Sequence, residues 1–260
     1  MMKLGPALVT GNTIVIKPSP FAPLAITLIL KRIADLFPEG VINVVHGDVA
    51  VGEAITTHPL IRKVAFTGGT ATGRTVMANA AQTIKDVTLE LGGNDPAIIL
   101  EDADFDKVIP NLLTGVFTRS GQICFAVKRT YVPKSRVQEF YDLVKSHVEK
   151  YKVGHGLNKE ATFGPLNNKK QFDFVNALIE ETKQLSNAQI EEVGSKLDES
   201  TWNNGYYILP HLVLTDDPTL NIVTCEQFGP IMPIISYKSE EQVIEWANDT
   251  ELGLGSSVWG

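Results

Sequence analysis

Only two cysteines occur among the 260 residues, and the surroundings of one invite chemistry. Cys124 lies in "TRSGQICFAVKR", residues 118 to 129, behind a polar, glycine-bearing "RSGQ" and between Ile123 and Phe125. A free cysteine is among the most often buried side chains and commonly packs as a small hydrophobe. It becomes a nucleophile where a neighbouring base or a helix N-terminus favours the thiolate. The polar approach predicts a thiol at a bend, not deep in a helix, and on this stretch alone both roles stand open. Cys225 has no comparable setting and reads as structural.

Three further stretches place reactive or ligand-binding groups at the ends of strand-like runs. In "TLELGGND" the strand ends on Glu90, a carboxylate that partial burial would make a general base near neutral pH, or that a surface lysine would simply pair. In "VIKPSP" the strand ends on Lys17, at the edge where open α/β sheets bind ligands, or as a solvated lysine. "VAFTGGTATGR" runs from a strand through glycines into a helix start, where free N–H groups and the helix dipole favour phosphate. Gly68, Gly69 and Gly73 would let backbone come close, and Thr70 is expected to cap the helix. The spacing is not the GxGxxG fingerprint, so a plain strand-to-helix turn fits equally. In "TCEQFGPIMPI", Glu226 could accept hydrogen bonds from sugar hydroxyls while Phe228 packs on a planar ring. A polar loop with one anchoring aromatic is the plainer alternative. The five histidines show neither HxxxH spacing nor a cysteine pair, which argues against zinc, and there is no GxSxG elbow.

Elements of an α/β protein must position these groups. "NTIVIK" (12–17), "VINVVHG" (41–47), "KVAFTG" (63–68) and "DVTLELGG" (86–93) read as strands of a parallel sheet. Between them "PLAITLILKRIADLF", "VAVGEAITTH" and "TATGRTVMANAA" read as helices in right-handed crossovers. After Pro96, a strand-like "AIIL" precedes "DADFDKVIPNLLTGVFTRSGQ", whose acidic start can cap a helix leading to Cys124. Further on, "SRVQEFYDLVKSHVEKY" and "NNKKQFDFVNALIEETKQL" predict amphipathic helices, and "YYILPHLVL" and "GPIMPIISY" predict strands.

Composition narrows the setting. The chain is 43% hydrophobic and 20% charged, as in soluble globular proteins, and no apolar run reaches bilayer length. A net charge of −7 offers no overall attraction for nucleic acid or anionic lipid. With no secretory h-region and no disulfide framework, a reducing compartment, the cytoplasm, is expected.

Taken in order, "GPALVTGNTIVIKPSPFAPL", "FTGGTATG", "LELGGNDPAIILEDAD", "SGQICFAVKR", "CEQFGPIMPI" and "ANDTELGLGSSVWG" resemble the NAD(P)-dependent aldehyde dehydrogenase superfamily over nearly the whole chain. The resemblance implies an α/β fold: the later part of a Rossmann-like cofactor domain over residues 1–91, then most of an α/β catalytic domain over 92–260. It implies Cys124 as nucleophile and Glu90 as general base, with Lys17, Gly68, Gly69, Thr70 and Gly73 holding NAD or NADP. Leu91 would contact the carboxamide, and Glu226 and Phe228 the nicotinamide ribose and ring. The implied substrate is an aldehyde, taken through a thiohemiacetal and a thioester on Cys124 to a carboxylic acid. Full-length relatives would be homo-oligomers, and no nucleic-acid or membrane partner is implied.

Two departures bear on the cofactor. Pro20 stands where the family commonly has a glutamate on the adenosine ribose, which leaves room for a 2′-phosphate. Gly69 stands where many members carry serine. Family members also have longer N- and C-terminal segments, the former with an asparagine of the oxyanion hole. By that comparison the chain reads as a fragment with impaired catalysis, its alternatives being a non-catalytic binding protein or, last, a cysteine hydrolase.

Overall fold

The computed structural model describes residues 3–260 and divides the chain into two compact units after Leu91. The first unit contains α1 (Leu4–Val9), β1 (Ile14–Ile16), α2 (Leu24–Ala34), β2 (Ile42–Val44), α3 (Val49–Thr57), β3 (Lys63–Thr67), α4 (Thr70–Ala81) and β4 (Asp86–Glu90). All four expected strands form, and each lies inside its expected range. They pair in parallel as β1 with β2, Ile14 opposite Ile42, and β3 with β4, Thr67 opposite Glu90. Among the described residues the two pairs remain separate ladders, β1 and β2 being only three residues long. The crossover in each pair is a helix, α2 or α4, as parallel pairing demands.

Local chemistry fixes the ends of these elements. The Asp48 carboxylate caps α3 by accepting the Ala50 N–H at 3.1 Å. Lys85 donates to the carbonyls of His58 and Ile61 at 2.6 and 2.9 Å, pinning the turn that leads into β3. Gly69, not Thr70, stands at the N-cap of α4, and Thr70 is already the first helical residue. The expected threonine cap is therefore corrected: the backbone turns one residue earlier, where glycine has no side chain to offer.

The second unit runs β5 (Asp95–Ile99), α5 (Phe105–Phe117), a 3-10 turn (Thr118–Gly121), β6 (Val127–Pro133), α6 (Val137–Val148), β7 (Lys152–Val153), α7 (Lys169–Lys183), β8 (Ala188–Glu192), β9 (Ser195–Lys196), α8 (Glu199–Trp202), β10 (His211–Thr215), α9 (Asn221–Thr224), β11 (Ile231–Tyr237), α10 (Glu240–Asn248) and β12 (Ser257–Trp259). Six strands form one sheet in the order β12-β5-β6-β11-β10-β8, parallel except for β8 at one edge. Side chains alternate between two cores, as a two-sided sheet requires. Leu212, Met232 and Ile234 join Leu112, Phe140 and Val144 on the side of α5 and α6. Val213, Ile231 and Ile235 join Val175, Ile179 and Val243 on the side of α7 and α10.

Two strand expectations change. "YYILPHLVL" pairs only from His211. The central β6, "VKRTYVP", was not expected, since adjacent Lys128 and Arg129 hide a strand that is buried almost throughout.

Candidate active site

Cys124 is reached through a strained turn. Arg119, Ser120 and Gly121 follow one another with φ of 54, 58 and 73°, the left-handed region that costs a side-chain-bearing residue energy. Ser120 Oγ repays part of this by donating to Gly164 O at 2.8 Å. A Cβ on Gly121 would run into the carbonyl of Gly229, so this glycine is required by space as well as by φ. The chain then forms a β-turn closed by the Ala126 N–H donating to Ile123 O at 3.1 Å, with Cys124 at its second position. The thiol-bearing residue is half-buried, and Phe125 beside it is exposed. The bend expected from the sequence is present.

A buried cation lies behind that turn. Lys128 is 3% exposed and its Nζ donates to the carbonyls of Ile123 at 2.9 Å, Ala126 at 3.1 Å and Cys124 at 3.5 Å. Burial pulls its pKa down, while Glu226, Asp95 and Cys124 pull it back up. The ammonium also lies 5.8 Å from the centre of the Phe228 ring. Glu226 accepts the Gly93 N–H at 3.2 Å, and burial raises its carboxyl pKa against the pull of that N–H and of Lys128. The second unit thus brings Cys124, Glu226 and Phe228 around one lysine.

The loop that carries Glu226 and Phe228 is held by amides. Gln227, 1% exposed, donates through Nε2 to Ile222 O and to Lys128 O, and Gln171 Nε2 donates to Gln227 O at 2.8 Å. Phe228 has φ of 48°, an unusual value for an aromatic residue. Asn94 Nδ2 donates to Val223 O and Thr224 O at 2.9 and 3.1 Å, tying the start of β5 to the same loop. Lys128, Gln227, Asn94 and Asp95 were not singled out from the sequence. The available signal was a pair of cations, Lys128 and Arg129, leading directly into the β-branched "TYV" run.

The first unit holds the other candidates. Lys17 follows β1 and donates from Nζ to Pro18 O and Gly47 O, both at 3.2 Å. Glu90 ends β4, half-buried, and its carbonyl accepts the Gly68 N–H at 3.1 Å. A Cβ at Gly73 would approach Leu91 Cδ2 to 2.7 Å, and one at Gly68 would enter the Phe66 ring. Gly69 has no atom within 4 Å of where its Cβ would stand. A helix N-terminus with unpartnered first-turn N–H groups, open above Gly69 and closed by packing at Gly68 and Gly73, fits the phosphates of a dinucleotide. Lys17 supplies an ammonium of the charge such a ligand would need.

Among the described residues no group of three or more His, Cys, Asp or Glu side chains could hold a metal ion, and no helix is long and apolar enough to cross a membrane.

DhaS of Bacillus subtilis, assigned to the aldehyde dehydrogenases, is 40% identical over 262 residues, which is 100% of this chain and 52% of the relative. The crystal structure of Staphylococcus aureus betaine aldehyde dehydrogenase with NAD+ matches with a TM-score of 0.93 at 32% identity, covering 99% of this chain and 51% of that one. An NADP-dependent enzyme of E. coli matches with a TM-score of 0.91 at 36% identity, covering 99% and 53%. The chain spans about half the length of the relatives it matches. The profile of the aldehyde dehydrogenase family matches residues 1–260, and with relatives this similar over the full chain the protein belongs to that family.

Proposed function

We propose that the chain carries the nucleophile and much of the cofactor site of an NAD(P)-dependent aldehyde dehydrogenase, which oxidises an aldehyde to a carboxylic acid. Residues 1–91 would form part of the cofactor domain and 92–260 most of the catalytic domain. The observation that carries this reading is the setting of Cys124: a half-buried cysteine on a β-turn whose carbonyls face a buried ammonium, beside a loop bearing Glu226 and Phe228.

In this reading Cys124 Sγ attacks the carbonyl carbon and makes it tetrahedral, which a thiolate does without the strong base that a hydroxyl would need. The bound nicotinamide supplies the two-electron acceptor. Cys124 then holds the acyl group as a thioester, and Glu90 takes a proton from the water that displaces it, releasing the acid. Lys17, Gly68, Gly69, Thr70 and Gly73 are assigned to the cofactor's phosphates and ribose, Leu91 to its carboxamide, and Glu226 and Phe228 to its nicotinamide ribose and ring. NAD and NADP are both proposed, because Pro20 presents no carboxylate to a 2′-phosphate. The S. aureus relative was crystallised with NAD+ and the E. coli relative is NADP dependent, which supports keeping both.

The test mixes the chain with a panel of aldehydes and either cofactor, following reduced nicotinamide by absorbance and acylation of Cys124 by mass spectrometry. Reduced nicotinamide or an acyl adduct that vanishes in Cys124→Ala is expected. The absence of both with every aldehyde would overturn the reading.

A further inference from the structure

Lys128 has no part in the chemistry above, yet it is among the most deeply buried charged residues described. Taking an ammonium out of water is costly and is sustained only where partners compensate. The compensation here is directed at one place. The acceptors of Lys128 Nζ are the carbonyls of Ile123, Cys124 and Ala126, so one tethered group holds the turn that presents the cysteine. Charge-assisted bonds of this kind are stronger than neutral ones, and water could satisfy the same carbonyls without fixing their direction.

The lysine also links that turn to the loop opposite. Its ammonium interacts electrostatically with Glu226 and Asp95 and lies against Phe228, and its own carbonyl accepts from Gln227 Nε2 at 3.3 Å. Side chain and main chain of one residue thereby join the two segments that bear the candidate catalytic and ring-binding groups.

We propose that Lys128 is a positioning residue for Cys124: from its buried site it fixes the turn 123–126 and locks it to the Glu226–Phe228 loop. The inference rests on reading Cys124 as the nucleophile. A lysine suits the task because three hydrogens leave one nitrogen toward three carbonyls, and its charge is answered by the carboxylates on either side.

The test compares wild type with Lys128→Met, Lys128→Gln and Lys128→Arg in the full chain, without cofactor or aldehyde. Iodoacetamide alkylation of Cys124 is timed by peptide mass spectrometry near neutral pH, with added glutathione as internal control. Lys128→Met withdraws the three donors that hold the turn 123–126. Alkylation of Cys124 relative to the control thiol should change at least about fivefold as the turn loosens. Lys128→Arg, which keeps charge and donors, should recover most of the rate, and Lys128→Gln, which keeps a donor without charge, only part. A wild-type rate at Cys124 in folded Lys128→Met or Lys128→Gln would overturn the proposal. Should Lys128→Met fail to fold, the Gln and Arg variants decide in the same way. Because no aldehyde is present, the predicted alkylation pattern would leave this inference standing even where neither reduced nicotinamide nor an acyl adduct forms and the proposed function falls. The reverse outcome would do the opposite.

Discussion

Glu226 Oε1 accepts the backbone N–H of Gly93 at 3.2 Å, closing a contact between residues 133 positions apart in sequence. The carboxylate comes so close that a Cβ on the neighbouring Gly92 would overlap it. A side chain at Gly92 would have to displace the Glu226 carboxylate from this contact.

Gly92→Ala should therefore displace the Glu226 carboxylate at a cost of about 1 kcal/mol or less, because the obstacle is the end of a flexible side chain. Urea denaturation of Gly92→Ala, Glu226→Ala and the double variant measures it. Removing the carboxylate removes the obstacle, so the double variant should be more stable than the sum of the single effects predicts. Strict additivity would show that the two residues do not compete for space.

Arg129 is 3% exposed and donates to Asn94 O at 2.8 Å, Tyr131 OH at 3.2 Å, Trp246 O at 3.0 Å and Ala247 O at 2.9 Å. It fastens the start of β5 and the end of α10 to β6. Arg129→Met strands these acceptors in the interior and should lose about 3–5 kcal/mol in denaturant unfolding. Arg129→Lys should recover less than half of that loss, because a single ammonium cannot reach acceptors spread around a planar fork. Full recovery by lysine would mean that charge, not geometry, is what the site needs.

The two cations that hold β6 in place are also what concealed it. A run written "VKRTYVP" breaks apolar continuity at Lys128 and Arg129, and nothing local shows that each will find backbone carbonyls. Those carbonyls belong to the adjoining turn in one case and to α10 and the start of β5 in the other. The helices were plainer: "TATGRTVMANAA" and "KKQFDFVNALIEETK" carry their period within themselves and form over Thr70–Ala81 and Lys169–Lys183. The candidate site divides in the same way. The bend at Cys124 was announced by "RSGQ", a local signal. The meeting of Cys124, Glu226 and Phe228 about Lys128 depends on long-range packing of β5, β6 and the loop before β11, which residue spacing does not encode.

Two glycines of the candidate site should respond unequally to the same change. Gly121→Ala must hold φ near 73° and also push against Gly229 O, so it should lose about 2–4 kcal/mol and disturb the approach to Cys124. Gly69→Ala keeps an ordinary φ of −68° and meets no atom, so it should lose only what alanine costs at an N-cap, about 0.5–1 kcal/mol. Thermal melts of the two variants separate these cases. Comparable losses would mean that the space around Gly69 is filled.

Asp95 and Glu191 should give opposite pH dependences. Asp95 is 4% exposed, Oδ1 has no hydrogen-bond partner, and burial raises its pKa against the pull of the Gly255 backbone, Lys128 and Arg129. The folded chain then holds this proton more tightly than the unfolded chain. The contribution of Asp95 to stability therefore falls as pH rises from the unfolded value near 3.8 to the raised folded value. Glu191 is the reverse: Lys145 at 2.6 Å, and then Tyr141 at 2.9 Å, lower its pKa. Its contribution is present above the unfolded value near 4.5 and is lost as pH falls through the lowered one. Unfolding free energies from about pH 3 to pH 7 should show Asp95→Asn gaining on wild type as pH rises and then levelling. Glu191→Gln should fall behind wild type over its own window, by about 0.5–1 kcal/mol given the partial exposure of the pair. The slopes carry the test, since the amide changes the offset in both variants, and a flat difference for Asp95→Asn would show that burial does not govern this carboxyl.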